Sequence, residues 1–276
     1  MPFVGIVLLA IVAGFVGAVS GMGGGVIIIP LLTAFGVDIK EAIAASALAL
    51  IAISSSATPG YVRRHIPNFN VSAFLELFAV VGAFLGAVTI VAVGRHLLFF
   101  LCGAVLMASW VVLRQRPPVT HPPAVPPDAF SQWVGLDGCY YDHAESRAIE
   151  YAGSHAALGG ALMFGAGLLT GALGTGASAL TVLVHEGVLK LPTKVSVTTS
   201  TLIVGLVALA GAEVYLEAGL LNPSLIAPVM LGVPVGAMLG AKLLLRFQSG
   251  LARRILLSTL MILGVEMILH GFLSRS

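Results

Sequence analysis

Two glycine-rich breaks interrupt otherwise apolar stretches of the chain, Ser20-Gly21-Met22-Gly23-Gly24-Gly25 and Gly174-Thr175-Gly176-Ala177-Ser178. Glycine lets backbone approach a ligand closely, and a helix that starts just after it presents unpaired N–H groups and a positive dipole end. Two such ends brought together would form an uncharged cage for a small anion. Tight helix packing or an ordinary turn is the other reading. A nucleotide-phosphate loop is excluded, because no Gly-Lys-Ser/Thr follows either run. Hydroxyls from Ala44-Ala45-Ser46-Ala47 and Thr198-Thr199-Ser200-Thr201 could complete the hydrogen bonding of an oxyanion. Serine and threonine also pair across membrane helices by default, so packing is the alternative for each. The candidate binding set is therefore Ser20, Gly21, Gly23, Gly24, Gly25, Ser46, Gly174, Thr175, Gly176 and Ser200.

Other chemistries find no foothold. The histidines at 65, 96, 121, 143, 155, 185 and 270 have no ligand-like spacing, and no serine lies in a nucleophile elbow. Cys102 and Cys139 form neither a disulfide framework nor a metal pattern, so both are expected to be free thiols. No catalytic residue, metal site or cofactor motif is identified. His185-Glu186 could relay protons, but reads better as a solvated pair at the membrane interface.

The elements that position these residues follow from composition. Hydrophobic residues make up 58% of the 276 positions and charged ones only 9%, against roughly 25% charged in soluble proteins. Mean hydropathy is +1.04. Residues 1–37, 42–62, 77–94, 96–113, 151–185, 195–212 and 218–241 carry no Asp, Glu, Lys or Arg. Stretches of that length cross about 30 Å of hydrocarbon as helices. The fold class is an all-α polytopic membrane protein, of about eight to ten transmembrane helices with some short or broken. Nucleic acid is excluded as a partner, since no basic stripe exists. The expected partners are a small anionic substrate, the bilayer and, as an option, a second copy in a homodimer.

The chain also repeats itself. A shift of 154 lays Val81-Gly82-Ala83-Phe84-Leu85-Gly86-Ala87 on Val235-Gly236-Ala237-Met238-Leu239-Gly240-Ala241, Lys40 on Lys194 and Ser46 on Ser200. A shift of 153 lays Gly14, Gly21 and Gly23 on Gly167, Gly174 and Gly176. Each half reads as five apolar segments: 3–20, 22–36, 41–58, 71–94 and 97–113, then 156–173, 176–189, 195–214, 222–245 and 252–270. The domains are a first repeat (1–113), a linker (114–155) and a second repeat (156–276). Short, glycine-interrupted segments at matching places of two repeats point to a binding site near the midplane. Gly82/Gly86, Gly232/Gly236 and Gly236/Gly240 read as close helix contacts.

An odd number of crossings per half puts Arg63, Arg64, Arg114, Arg116, Arg147, Lys190, Lys194, Lys242, Arg246, Arg253 and Arg254 on one face, leaving Lys40, Arg95 and Arg275 on the other. The first face is then cytoplasmic, both termini lie outside, and the repeats are inverted. The linker carries Pro117, Pro118, Pro122, Pro123, Pro126 and Pro127 and should be extended there. Beyond them, Gly138–Asp142 and Arg147–Tyr151 flank a polar turn and could form a β-hairpin.

The run Gly14-xx-Gly17-xx-Ser20-Gly21-x-Gly23-Gly24-Gly25, followed by an apolar segment and Pro30, resembles the signature of the sulfite exporter TauE/SafE family. The Ser46 and Ser200 stretches and the repeat share that resemblance, which covers nearly the whole chain outside the linker. It implies a multi-pass protein of the cell membrane that moves small sulfur-containing anions such as sulfite or organosulfonates. In the second repeat the pattern departs, with Ala177 and Ser178 where further glycines would stand. A secondary transporter working by alternating access is the leading expectation. An anion channel, or an enzyme of sulfur metabolism embedded in the membrane, is the alternative.

Overall fold

The computed structural model describes residues 3–20, 24–115, 128–142, 146–174, 178–246 and 249–273. The proline-rich residues 117–127 and the hairpin turn therefore lie outside the described residues. The first half runs α1 (Phe3–Ser20), α2 (Gly25–Ala34), α3 (Ile39–Val62), α4 (Phe69–Ala92) and α5 (Arg95–Gln115). A short α6 (Ala129–Val134) and strands β1 (Gly138–Asp142) and β2 (Arg147–Tyr151) follow. The second half repeats the pattern as α7 (Ala156–Leu173), α8 (Ser178–Gly187), α9 (Thr193–Glu217), α10 (Pro223–Arg246) and α11 (Ser249–Leu273). The chain is an all-α polytopic membrane protein, with α3, α4, α7, α9 and α10 long and apolar enough to cross a bilayer and shorter apolar stretches in α1, α5 and α11.

Local chemistry sets the boundaries. Asp38 caps α3 by accepting from the Lys40 amide, and Asn68 caps α4 by accepting from the Val71 amide. Helix α3 outlasts its apolar stretch and runs through Pro59 to Val62, because a proline in the last turn forfeits only one backbone bond. Helices α2 and α8 have 10 residues each, about 15 Å of rise, and cannot span the hydrocarbon alone. In α6, Asp128 accepts from the hydroxyl and amide of Ser131 and from the His155 amide. The Ser131 hydroxyl foremost, then the His155 amide, holds that carboxyl below the usual range.

The two halves interlock. Helix α1 packs on α10 of the other half, and α7 packs on α4 in the same way. At the α1–α10 contact a Cβ on Gly14 would overlap the Val233 carbonyl, and one on Gly236 would overlap the Ile11 carbonyl. At α4–α7, Gly82 and Gly86 lie equally close to the carbonyls of Phe164 and Leu168. These glycines admit backbone against backbone, the contact that drives membrane helices together where no hydrophobic effect can. Helices α3 and α9 pair at the centre, and α5 packs on α11. Outward faces such as Val4, Leu8 and Val12 of α1 and Leu231, Val235 and Met238 of α10 are exposed and apolar, as a lipid-facing surface must be.

The two ends of the bundle differ. At one end the β1–β2 hairpin, paired antiparallel from Gly138↔Tyr151 to Asp142↔Arg147, docks on the α3–α4 turn. There the Asn68 side-chain amide donates to the Asp137 carbonyl and to the Tyr151 hydroxyl, both at 3.2 Å. The far end is tied by Arg95 to Asp38 at 2.9 Å and by the Asn222 amide donating to Glu41 at 3.4 Å. Lys40 and Arg95 thus share one end, and Arg63, Arg64, Arg147 and Lys194 share the other.

Candidate anion site along the α3–α9 seam

Of the candidate binding residues, Gly21, Gly23, Thr175 and Gly176 lie outside the described residues. Ser20 is the last residue of α1, and Gly24 and Gly25 are buried at the start of α2. A Cβ on Gly24 would come within 2.6 Å of the Ala13 carbonyl oxygen and 2.9 Å of Ile53 Cδ1. The returning chain is therefore wedged between α1 and the middle of α3, and no side chain caps α2. In the second half, Gly174 ends α7 at φ +73°, a conformation natural to glycine. A Cβ there would meet Ser46 Oγ at 2.6 Å and Ile43 Cγ2 at 2.9 Å. The break of one repeat thus rests on the serine of the other.

The two breaks do not converge on one point. The first touches α3 at Ile53 and the second at Ile43, a separation of about 15 Å along a helix axis. Helices α3 and α9 run antiparallel, with the Ser54 hydroxyl donating to the Leu202 carbonyl at 3.3 Å and Leu50 packed with Val204 and Ala208. In that register Ser46 and Ser200 also stand about 15 Å apart. Both are buried, and their protons are already committed: Ser46 donates to the Ile43 carbonyl at 2.7 Å and Ser200 to the Val197 carbonyl at 3.0 Å. Each hydroxyl must turn before it can donate to an anion. The arrangement is two separate clusters, one per break, with the apolar Leu50–Val204–Ala208 cluster midway between them.

Two tyrosines escaped the reading of the sequence. The Tyr61 hydroxyl donates to the Ala18 carbonyl at 2.9 Å, and the Tyr215 hydroxyl donates to the Gly171 carbonyl. Each acceptor lies in the turn of helix that precedes a break. Such a bond satisfies a carbonyl that the ending helix leaves orphaned. The signal was present, since Tyr61 and Tyr215 are separated by the same 154 residues as Ser46 and Ser200.

Near the hairpin end the expectation for His185-Glu186 needs correcting. Both side chains are buried, His185 completely, and its Nδ1 lies 3.3 Å from the Ser196 carbonyl. Helix α9 packs on α8 here, and the two side chains are not solvated at an interface. Lys194, the counterpart of Lys40, is also buried, and its ammonium donates to Asp142 of β1 at 2.6 Å. Cys102 is buried and Cys139 exposed, both as free thiols. No group of three His, Cys, Asp or Glu side chains able to hold a metal occurs among the described residues.

Comparison with known proteins adds a lineage to this geometry. The family model for the sulfite exporter TauE/SafE matches residues 6–267. Over 285 aligned residues, spanning 99% of this chain and all of the relative, the chain is 26% identical to a probable membrane transporter protein, YunE, of Bacillus subtilis (strain 168). No solved structure matches.

Proposed function

Because the chain belongs to the sulfite exporter TauE/SafE family, and is thereby a membrane transporter rather than an enzyme, we propose that it moves a small sulfur oxyanion or organosulfonate across the cell membrane by alternating access. The observation that carries this reading is the pair of uncharged helix breaks set about 15 Å apart along one helix seam. Gly24 and Gly25 serve one half-site with Ser200, and Gly174 serves the other with Ser46. Backbone N–H groups and hydroxyls bind an oxyanion there without a fixed cation to trap it, so release is not penalised. The Leu50–Val204–Ala208 cluster keeps the two half-sites from opening to both sides together.

Because α1 grips α10 and α7 grips α4, the repeats cannot part as two bodies. The moving units are these cross-repeat pairs, shifting against the α3–α9 seam. The hairpin end faces the cytoplasm, since it gathers Arg63, Arg64, Arg147, Lys190 and Lys194. A reporter fused at residue 125 and active only outside the cytoplasm would contradict that sidedness.

The test of transport is counterflow. Proteoliposomes preloaded with unlabelled sulfite, thiosulfate, isethionate or acetate are offered the labelled anion outside. Saturable uptake accelerated by internal sulfite or isethionate, and not by acetate, is the expected result. Flux that rises linearly with concentration and ignores the internal anion would contradict alternating access and favour a channel.

A further inference from the structure

We propose that Asp142 is a tethered carboxylate occupying an anion-binding site on Lys194, and that a small oxyanion reaching the hairpin end displaces it and releases the hairpin. The identity of that oxyanion rests on the function proposed above; the site itself rests on geometry.

Lys194 lies in the first turn of α9, and its side chain is only 8% exposed. Its ammonium lies 2.6 Å from Asp142 Oδ1, and that carboxylate is 5% exposed. A lone buried ammonium would be strongly disfavoured, so something anionic must accompany it whenever this end is closed. Here the companion comes from outside the helical repeats, on the last residue of β1, beside the hairpin turn. Thr198 lies one turn further along α9, and with Ile66, Tyr140 and Leu244 it walls a cavity around the pair. The free volume of that cavity is about 10 Å³, room for about one water. A second anion therefore cannot sit beside Asp142; it can only replace it.

The counterpart of Lys194 in the first repeat argues the same way. Lys40 begins α3 as Lys194 begins α9, yet it is half-buried, and the two-stranded sheet among the described residues lies at the other end. Asp142 is thus an addition at one end only, and it brings to that end a carboxylate with the charge and planar oxygens of a small oxyanion. Asn68 and Tyr151 hold the hairpin base through neutral hydrogen bonds that an anion does not contest. Displacement would free the hairpin tip while its base stays attached.

Ala148 provides the readout, since it is exposed on β2 opposite Tyr141, beside the turn. Cys102 and Cys139 are the two cysteines of the chain. The full chain carrying Cys102→Ala, Cys139→Ser and Ala148→Cys is reconstituted in nanodiscs and labelled at position 148 through a thioether with a spin label. Isethionate then replaces chloride at constant ionic strength. Label mobility should rise with isethionate in this protein and in its Asp142→Glu variant. It should be high from the start in Asp142→Asn, and Lys194→Gln should lose the response to isethionate. In proteoliposomes, Asp142→Asn should lower the half-saturating isethionate on the hairpin side by roughly tenfold, the factor by which a site competent one-tenth of the time weakens its ligand. The far side should be unchanged. A label indifferent to isethionate, or a response that survives Lys194→Gln, overturns the latch. Absence of flux in every protein, with the label response intact, would overturn the transport reading and leave the latch standing.

Discussion

Among the described residues an aspartate–cation pair lies at each end of the bundle, and burial separates their roles. Asp38–Arg95 joins the α2–α3 and α4–α5 turns with 25% and 71% of the side chains exposed, while Asp142–Lys194 joins the hairpin to α9 at 5% and 8%. Water screens the first pair and its long arginine stays free to move, so it contributes little. The second pair lies where an unmatched charge is intolerable, so each member depends on the other. An inverted repeat makes the two ends alike by construction; the hairpin, which belongs to neither repeat, makes them differ. The lesson is that the matching helices of the two halves make the ends alike, and the hairpin supplies the asymmetry.

Five substitutions, grouped in three comparisons, bear on that contrast, from the largest effect downwards. Lys194→Gln should cost about 3–5 kcal/mol by stranding Asp142, which lowers the melting temperature in detergent by on the order of 10 °C. Arg95→Gln should cost no more than about 1 kcal/mol, and equal shifts in the two proteins would erase the distinction between the ends. Next, Gly174→Val forces a β-branched residue to φ +73° against Ser46, about 1–3 kcal/mol of backbone strain. It should abolish flux while the protein still inserts and elutes as a single species in size exclusion; normal flux would remove the far-end half-site from the account. Smallest are Tyr61→Phe and Tyr215→Phe, each losing one hydrogen bond worth about 1 kcal/mol. Their melting shifts should match, because the bonds are counterparts in the two repeats, and a large difference would mean that the symmetry is broken at the breaks as well.

Much of this architecture is legible in the sequence because lipid imposes it locally. The ten apolar segments mark the helices to within a few residues, since a bilayer tolerates no open spanning structure but a helix. The turn-flanking strands Gly138–Asp142 and Arg147–Tyr151 occupy the residues at which the sequence marks a hairpin. Gly82, Gly86, Gly236 and Gly240 announce close helix contacts, yet nothing local says that the partner helix comes from the other half. That choice is made by long-range packing. The same holds for Ser46, which matches Ser200 in the repeat but touches Gly174 in space. Lys194 reads as one more loop cation because the residue that buries it, Asp142, is 52 positions away. His185 and Glu186 mislead for the same reason: hydropathy places them at a helix end, and only tertiary packing, with α9 against α8, buries them.

The central claim is that Ser46 and Ser200 belong to half-sites reached from opposite ends of one seam. It is tested most directly by thiol accessibility in a chain freed of Cys102 and Cys139. Ser46→Cys and Ser200→Cys, each in oriented membranes, are treated with a membrane-impermeant reagent from one side at a time. The account predicts that Ser46→Cys reacts only from the far side and Ser200→Cys only from the hairpin side, and that isethionate slows both. Reaction of both positions from the same side, at rates that ignore the anion, would contradict it.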